Sequence, residues 1–410
     1  MFVTMFVTMF VTGFVTTPVL KSFRGLCAGI LLLLVSGVNA APAIIPAPPQ
    51  IAAEGYLLMD AATGKRLVEF NSEQRLPPAS LTKLMTSYVA AQELARGTIS
   101  FNDEVRISKK AWRMKGSLMF IKVDTEVRVE DLLRGMIIQS GNDASVAIAE
   151  HIAGTEAQFA TLMNQYAERL GMVNTNFENA TGWPDDNHYS TAKDLSKLTA
   201  AMIRDFPTHY KMYSEQSYEY ANIKQDNRNL LLRRDSSVDG VKTGHTEAAG
   251  YCLIASAVRD DMRLVSVVMG ANSKEARATE SQKLLTYGFR YFETAQLYRA
   301  GENLKQVRVW GGQHDSVRLG VGEDVVLTIP RGSRSELAAE IQLQKEIHAP
   351  IKAGDQVGTL TMQLPEGEPM IIAVQAISGV QEAGFFAAVW DAVTLFFLKI
   401  FGGDPLAYEA

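Results

Sequence analysis

Hydrophobic residues recur along the first two thirds of the chain at spacings that predict amphipathic helices. Apolar positions three and four residues apart mark one face of a helix at residues 80–96, 129–138, 144–152 and 156–170. The same criterion predicts a further helix at residues 275–292.

Strand-like runs lie at both sequence ends of this helical region. Residues 54–70 form two apolar runs around Ala-Thr-Gly-Lys, which predicts a β-hairpin. Two further apolar runs, at residues 250–258 and 262–270, flank a charged turn at residues 259–261. Strands at both ends with helices between them predict an α+β domain with one sheet.

The pattern changes at about residue 294, where short alternating runs replace the helical spacing. Turn residues separate these runs at intervals of roughly ten residues, which is typical of a small all-β sandwich. The runs are residues 306–310, 316–319, 324–329, 338–343, 356–364 and 370–377.

Residues 385–401 (FFAAVWDAVTLFFLKIF) form a last amphipathic stretch. At 100° per residue one broad face is apolar, whereas Asp391, Thr394 and Lys399 lie towards the other face. The apolar face consists of Phe385, Phe386, Val389, Val393, Phe396, Phe397 and Ile400. The stretch is slightly short for a membrane span and is interrupted by charge, so we expect a helix that lies in a membrane interface. A helix packed on the protein itself is the alternative.

The N-terminus predicts export. Residues 1–16 are four near-copies of Met-Phe-Val-Thr, to which we assign no structure. Lys21 and Arg24 then precede an apolar run, and Val38-Asn39-Ala40 fits a small-residue cleavage rule, so we expect a signal peptide cleaved after Ala40. We therefore expect an exported protein.

The chain thus divides into a signal peptide (1–40), an α+β domain (41–293), an all-β domain (294–382) and an amphipathic helix (383–410). Its composition is that of a globular protein, with 47% hydrophobic and 21% charged residues. The net charge is −5, and loss of Lys21 and Arg24 with the signal peptide leaves 38 basic and 45 acidic residues, a net charge of −7. This balance argues against a nucleic-acid partner.

The chain offers little for a metal or a disulfide framework. It has two cysteines, and cleavage removes Cys27, so Cys252 cannot form an intrachain disulfide and is expected to be a buried, inert thiol. The six histidines show no His-Glu-x-x-His or paired zinc spacing, and we expect no cofactor.

Three short motifs occur in a fixed order: Ser80-Leu81-Thr82-Lys83, Ser140-Gly141-Asn142 and Lys242-Thr243-Gly244. This trio is known from penicillin-binding proteins and class A β-lactamases. Ser80 opens a predicted helix, in which positions i and i+3 are neighbours, so the Lys83 amine is expected over the Ser80 hydroxyl. A serine needs such a base to become a nucleophile, and burial near another cation lowers the pKa of a lysine into the useful range.

Single motifs of this kind are weak evidence, since two of them recur. Ser190-Thr191-Ala192-Lys193 repeats the first motif, but its serine is expected to cap a helix. Ser100-Phe101-Asn102 repeats the second in a turn that is badly placed to reach Ser80. Lys-Thr-Gly occurs once, in a strand-like segment. The ordered trio, with spacings of 60 and 102 residues, therefore carries the prediction.

The sequence around these motifs resembles the D-alanyl-D-alanine carboxypeptidases of peptidase family S11, which are low-molecular-mass, class C penicillin-binding proteins of the penicillin-binding protein 5 type. The likeness covers roughly nine-tenths of the mature chain, although the β-domain matches only in its pattern of short alternating runs and turns. It is carried by PPASLTKLMT, SGNDASVAIAEHIAG, MNQYAERLGMVNTNFENATG, VDGVKTGHTEAAGYCLIASA and ESQKLLTYGFRYFE.

For residues 41–293 the resemblance implies a serine β-lactamase/transpeptidase-like fold, in which helices surround a central antiparallel sheet. It also implies a serine-acyl mechanism. Ser80 would attack the carbonyl of the penultimate D-Ala of a peptidoglycan stem peptide, and Lys83 would take its proton. The terminal D-Ala would leave with a proton delivered through Ser140, and water would hydrolyse the acyl-enzyme. β-Lactam antibiotics would acylate the same serine. The terminal helix would attach the enzyme to the periplasmic face of the inner membrane.

The resemblance also implies a set of substrate-binding groups. Asn142 would hold the side of the substrate, and Lys242 and Thr243 would bind its free carboxylate. The backbone N–H groups of Ser80 and His245, which follows Gly244, would form the oxyanion hole. Arg277 and Arg228 lie in segments similar to those that supply further anion contacts, although the Arg228 segment is one residue shorter than the family pattern. His245 could instead fill a strand position.

Three alternatives remain open at this point. A serine β-lactamase shares the trio but needs a dedicated deacylating group, and no Glu-x-x-Leu-Asn-like segment lies between Asn142 and Lys242. A D,D-endopeptidase would use the same residues. The third alternative is a non-catalytic envelope protein that binds peptidoglycan. Such a protein would have no reason to retain all four of Ser80, Lys83, Ser140 and Lys242.

Overall fold

The computed structural model describes residues 45–364 and 368–408. The predicted signal peptide, its cleavage after Ala40 and the Met-Phe-Val-Thr repeats lie outside these residues. Within them no helix is long and apolar enough to cross a membrane.

The first region contains nine strands, and five of them form the central antiparallel sheet in the order β2-β1-β9-β8-β7. Two short hairpins, β3–β4 and β5–β6, lie outside that sheet. The strands are β1 (Gly55–Asp60), β2 (Arg66–Phe70), β3 (Glu104–Arg106), β4 (Glu126–Arg128), β5 (Ser217–Tyr220), β6 (Ile223–Asp226), β7 (Val238–Thr246), β8 (Gly250–Arg259) and β9 (Met262–Ala271). The predicted hairpin at residues 54–70 and both later strands are confirmed.

Helices of this region pack on both faces of the sheet. The helices are α1 (Lys83–Arg96), α2 (Lys109–Trp112), α3 (Val129–Arg134), α4 (Asn142–Ala153), α5 (Glu156–Arg169), α6 (Ala192–Asp205), α7 (Pro207–Tyr210), α8 (Leu231–Arg234) and α9 (Lys274–Tyr291). α9 covers β8 and β9 on one face, and α6 covers β1 and β9 on the other, with α1, α4 and α5 behind it. Because both faces are covered, β8 and β9 are continuous apolar runs without alternation.

The predicted helices are confirmed, with one difference. Residues 129–138 are not a single α-helix, because α3 ends at Arg134 and a π-helical turn (Gly135–Gln139) follows it. The turn ends at Ser140, whose φ of 69° lies in the left-handed region. A π-turn at this point is a common feature of functional sites, since it changes the direction in which the next residues project.

The second region is an all-β domain with one five-stranded sheet, β11-β12-β16-β15-β14, and a two-stranded sheet, β10–β13. Both sheets contribute side chains to one apolar core, as a sandwich requires. The strands are β10 (Phe292–Tyr298), β11 (Lys305–Arg308), β12 (Ser316–Val321), β13 (Val325–Pro330), β14 (Ala338–Leu343), β15 (Gln356–Gln363) and β16 (Met370–Ala376). The six predicted runs are confirmed, whereas β10 was missed because it follows α9 without any turn residue.

A buried carboxylate joins the two regions. Asp60, at the end of β1, is fully buried, and its Oδ2 accepts hydrogen bonds from the hydroxyls of Thr294 (2.6 Å) and Thr328 (2.7 Å), which lie in β10 and β13. These two hydrogen bonds offset part of the cost of burying the Asp60 carboxylate. The contact between the two regions therefore depends on specific polar partners as well as on apolar packing.

The C-terminal helix α10 (Phe385–Ile400) packs on the β-domain through its polar side. Asp391 accepts hydrogen bonds from Arg308 Nη2 and the backbone N–H of Gly311, both at 2.8 Å, and Lys399 pairs with Glu346 at 2.6 Å. Among its apolar residues Leu395 is buried. The predicted apolar face is turned outwards, with Phe386 87% exposed.

Candidate active site

The nucleophile candidate and its base lie together at the start of α1. Residues Ala79–Thr82 form a 3₁₀ turn that leads into the helix, and in such a turn side chains at i and i+3 eclipse. The Lys83 amine accordingly lies 2.9 Å from Ser80 Oγ. Ala79 has a φ of 47°, in the left-handed region that is strained for alanine. The backbone is therefore bent immediately before Ser80.

The environment of Lys83 favours its neutral form. Its Nζ also lies 2.7 Å from Asn142 Oδ1 and 2.6 Å from the carbonyl oxygen of Thr181. A neutral amine has two N–H groups, which these two oxygens can accept, and its lone pair then points to the Ser80 hydroxyl. Burial, helped by the nearby charge of Arg228, lowers the pKa of Lys83 from 10.5 to about 7.

The second motif follows the π-turn and opens α4. Asn142 is the first residue of that helix, and it donates from Nδ2 to the carbonyl of Lys115 at 2.7 Å. Its amide is thereby fixed with Oδ1 towards Lys83. Ser140 is buried and its Oγ lies 2.9 Å from Lys242 Nζ. One motif thus touches both lysines of the site.

The third motif lies on β7, the edge strand of the central sheet next to the start of α1. A Cβ at Gly244 would lie 2.9 Å from the carbonyl oxygen of Pro78, so glycine lets the strand approach the Ser80 segment closely. Lys242 and Thr243 are both buried. Burial and the charges of Lys83, Arg228 and Arg277 lower the pKa of Lys242 well below its usual value. A neighbouring carboxylate would reverse that effect.

The three motifs line one open cleft of about 840 Å³. Ser80, Ser140, Asn142, Thr243 and Gly244 line it. Three further predicted binding residues line it too: His245, Arg228 and Arg277. Lys83 and Lys242 are buried and are not among the residues that line the cleft.

These three residues differ in how they are held. Arg277 is buried and donates from Nη1 to the carbonyl of Gly244 at 2.9 Å, so it supports the strand that carries the third motif. Burial lowers the pKa of Arg277 to about 10. The side chain of Arg228 is exposed at the cleft, and the His245 ring lies 4.0 Å from that of Tyr251. Because His245 lines the cleft, both its backbone N–H and its ring are available to a substrate.

One wall of the cleft was not predicted from the sequence. Residues 179–183 form a tight loop in which Asn179 Oδ1 accepts hydrogen bonds from the N–H groups of Thr181, Gly182 and Trp183. The loop supplies the Thr181 carbonyl to Lys83 and exposes the Trp183 ring in the cleft. Asparagine and glycine both favour turns, and Asn179 and Gly182 lie three residues apart, but the sequence pattern did not connect this turn to the site.

Neither duplicate motif lines the cleft. Ser190 is buried and bonds the hydroxyl of Thr175 at 2.8 Å, while Lys193 pairs with Glu73. The prediction that Ser190 caps a helix was wrong by one residue, since Thr191 has the extended backbone of a cap and accepts from the Asp194 N–H at 3.0 Å. Ser100 lies in a turn, as predicted.

The described residues hold no group of three or more His, Cys, Asp or Glu side chains that could bind a metal. Cys252 is buried, and burial raises the pKa of its thiol to about 11. It is therefore an inert thiol, in keeping with the prediction from its apolar strand.

Two family models match the chain. Residues 43–273 match the model described as D-alanyl-D-alanine carboxypeptidase, peptidase S11, and residues 292–376 match the C-terminal domain of penicillin-binding protein 5. The D-alanyl-D-alanine carboxypeptidase DacC of Escherichia coli (strain K12) is 43% identical over 393 residues, which cover 92% of this chain and 97% of that protein.

Solved structures support the same relationship. Penicillin-binding protein 5 from Haemophilus influenzae matches with a TM-score of 0.76 and 44% identity, covering 82% of this chain and all of that one. Penicillin-binding protein D2 from Listeria monocytogenes, in its ampicillin-bound form, matches with a TM-score of 0.55 and 30% identity over 60% of this chain and all of its own. The fold therefore agrees with that of these penicillin-binding proteins.

Proposed function

The chain belongs to the D-alanyl-D-alanine carboxypeptidase family, and from that premise we propose that Ser80 is the nucleophile of its reaction and Lys83 the general base. It is a serine-type D-Ala-D-Ala carboxypeptidase and a penicillin-binding protein. The observation that carries the assignment is the 2.9 Å contact between Ser80 Oγ and a buried lysine whose pKa is lowered to about 7. Only a lysine of this kind is an effective base near neutral pH.

The acylation step follows from these contacts. The Ser80 hydroxyl gives its proton to Lys83 Nζ as its oxygen bonds the carbonyl carbon of the penultimate D-Ala. The bond to the terminal D-Ala nitrogen breaks, and that nitrogen takes the proton that Lys83 received, relayed through the hydroxyl of Ser140, which lies 2.9 Å from Lys242 Nζ. Lys83 is then neutral again. In the second half of the reaction a water gives one proton to Lys83 and its oxygen bonds the acyl carbon, and Lys83 returns that proton to Ser80 Oγ as the ester bond breaks.

We assign the free carboxylate of the substrate to the cations at the β7 side of the cleft. Lys242 and Arg277 have no carboxylate within ion-pair distance among residues 45–364 and 368–408, and their polar partners are a hydroxyl and carbonyl oxygens. Together with Arg228 they form a cluster whose mutual repulsion a carboxylate would offset. Thr243 adds a hydroxyl donor, and the N–H groups of Ser80 and His245 are assigned to the oxyanion.

Labelling with a fluorescent penicillin tests the nucleophile. The mature protein should form a stable adduct, and mass spectrometry of the labelled peptide should place it on Ser80. S80A should abolish the adduct and keep the fold, as measured by circular dichroism. Rapid destruction of the drug without an adduct would favour a β-lactamase, and an intact drug without an adduct would indicate a protein that only binds peptidoglycan.

We further propose that the enzyme is exported to the periplasm and held on the inner membrane by α10. The orientation of that helix supports this proposal. Its polar residues Asp391 and Lys399 bond side chains of the β-domain, while its phenylalanines are exposed. A contiguous exposed apolar face of this kind is typical of interfacial helices.

Deletion of residues 383–410 tests the attachment. The full mature chain should sediment with phospholipid vesicles, and the shortened chain should stay in the supernatant while it is still labelled by penicillin at Ser80. Sedimentation of the shortened chain at the level of the full chain would contradict the anchor.

A further inference from the structure

We propose that a basic loop beside the cleft binds a second, anionic part of the peptidoglycan polymer, so that the enzyme acts on the polymer more efficiently than on a short peptide with the same end. This proposal rests on the proposed function. The basic loop comprises residues 107–125. It contains five lysine or arginine residues and a single acidic residue, Asp124, in a chain whose net charge is −5.

Most of the positive charge of the loop is uncompensated. Lys110 pairs with Glu156 at 2.7 Å. Four further cations are exposed and take part in no side-chain hydrogen bond or ion pair within the described portion of the chain: Lys109, Arg113, Lys115 and Lys122. Asp124, the acidic residue of the loop, pairs outside it with Arg106 at 3.2 Å. A local excess of this size on an acidic protein favours an anionic ligand.

Aromatic rings accompany these cations. Trp112 and Phe120 are 47% and 48% exposed. Lys109 and Arg113 are one helical turn apart, since the Arg113 N–H bonds the carbonyl of Lys109, so their side chains share a face. An exposed ring offers a flat apolar surface, which suits a sugar ring, and a cation beside it suits a carboxylate. The peptidoglycan polymer presents both along its length.

The loop is held rigidly rather than left free in solvent. Its ends are joined by hydrogen bonds between Ile107 and Thr125 (2.9 Å) and between Asp124 and Ile107 (3.0 Å). On its inner side the buried carboxylate of Asp143 accepts from the N–H groups of residues 119–121, at distances between 2.8 and 3.3 Å. A surface that is already ordered loses little conformational entropy when a ligand binds.

The basic loop is also continuous with the catalytic cleft. Gly116 and Ser117 line the cleft together with Ser80. The carbonyl of Ser117 accepts from the Asn142 N–H at 2.7 Å, and that of Lys115 accepts from Asn142 Nδ2, also at 2.7 Å. A polymer whose stem peptide lies over Ser80 would therefore extend directly onto the loop.

The test compares two triple variants of the mature chain with equal loss of charge. K109Q/R113Q/K122Q removes cations of the basic loop but leaves Lys115, whose backbone contacts Asn142. The control K305Q/R318Q/K352Q removes three exposed cations of the β-domain that have no side-chain partner among the described residues. A W112A variant tests the aromatic contribution separately.

Two measurements are made on each protein. One is co-sedimentation with purified peptidoglycan sacculi at low and high salt, and the other is kcat/KM for D-Ala release from sacculi and from a soluble acetylated tripeptide ending in D-Ala-D-Ala. Since an exposed charge contact changes affinity by a factor of about 1.5 to 5, the loop variant should bind sacculi about tenfold more weakly at low salt. Its kcat/KM on sacculi should fall by a similar factor, with the tripeptide value within twofold of the wild type.

W112A should weaken sacculus binding at both salt concentrations, because an apolar contact is not screened. Unchanged sacculus binding by the loop variant would overturn the proposal, and so would an equal loss on both substrates. The proposal would also fail if the loop variant lost binding to anionic phospholipid vesicles but kept its binding to sacculi. If the wild type released D-Ala from neither substrate, the proposed function would be wrong, and sacculus binding would still decide the role of the loop.

Discussion

The pH dependence of acylation is the sharpest test of the base assigned to this site. Lys83 must be neutral to take the proton of Ser80, and its pKa is lowered from 10.5 to about 7. Acylation by penicillin should therefore rise with pH through a midpoint near 7 and level off above it. The direction follows from the protonation state, because below the midpoint the amine carries the proton and has no free lone pair.

The size of the effect can be worked from the shift. At pH 7 an ordinary lysine is neutral in roughly one molecule in 3,000, whereas a lysine with a pKa of 7 is neutral in about half. The difference is about 10³ in the concentration of active base, or about 4 kcal/mol. K83R keeps the positive charge but cannot release its proton, so acylation should fall by about 10²- to 10⁴-fold across the whole range.

The electrostatic cause of the lowered pKa of Lys83 can be tested separately from the lowered pKa itself. Arg228 is the neighbouring charge that lowers the pKa of Lys83 most, after burial itself. R228Q should move the midpoint of the acylation profile to higher pH. H245Q should leave the midpoint in place, because the imidazole of His245 is not the base.

Stopped-flow measurement of acylation between pH 5 and 10, with the substrate well below saturation, gives the profile of the free enzyme. The reasoning would be refuted by a midpoint near 10, or by a midpoint near 7 that disappears in H245Q. A midpoint that does not move in R228Q would refute the electrostatic cause but not the base. The buried imidazoles of His188 and His209 do not confuse the profile, because burial lowers their pKa to about 4.

Three further predictions concern single positions. K242Q should lower kcat/KM for a D-Ala-D-Ala peptide by about 10- to 150-fold through loss of a charged hydrogen bond, with little change in the melting temperature; unchanged kinetics would contradict its role as carboxylate ligand. G182A should abolish penicillin labelling, since a Cβ there would overlap the carbonyl oxygen of Ala79 beside the nucleophile. G97A has a similar φ but open space around it, so it should cost only about 1–2 kcal/mol of stability and keep the labelling. S190A should keep the labelling at Ser80 and lose about 1 kcal/mol of stability, and loss of the adduct would contradict the choice of motif.

The sequence predicts the local parts of the site better than its assembly. The contact between Ser80 and Lys83 follows from a three-residue spacing at the start of a helix, and the structure has it at 2.9 Å. The contact between Ser140 and Lys242 joins residues 102 apart. No periodicity predicts it, and only the likeness to a family implied it. It exists because the edge strand β7 packs against the turn at residues 79–82, while the π-turn packs against α1, which follows that turn.

The features that escaped prediction share a physical cause. The Thr181 carbonyl is a backbone group, and any residue type could supply it. Strand β10 begins where α9 ends, and β3 and β4 have three residues each, too few to establish an alternation. The cap of α6 falls on Thr191 rather than Ser190, since both side chains can cap and only the tertiary fit of Ser190 against Thr175 decides between them.

Two residues with strained backbone and two buried cations lie where the three motif segments meet. Ala79 and Ser140 have positive φ values of 47° and 69°, and each immediately precedes or belongs to a motif. Lys83 and Lys242 are buried cations whose lowered pKa values mean that folding opposes their ordinary charge. Below pH 10 the burial of these two lysines therefore lowers the free energy of unfolding. The protein tolerates this cost because the central sheet, covered by helices on both faces, stabilises the fold independently of the site. Removal of the Lys83 amine should therefore raise stability while it removes activity, which is the relation expected when strain and desolvation serve chemistry rather than folding.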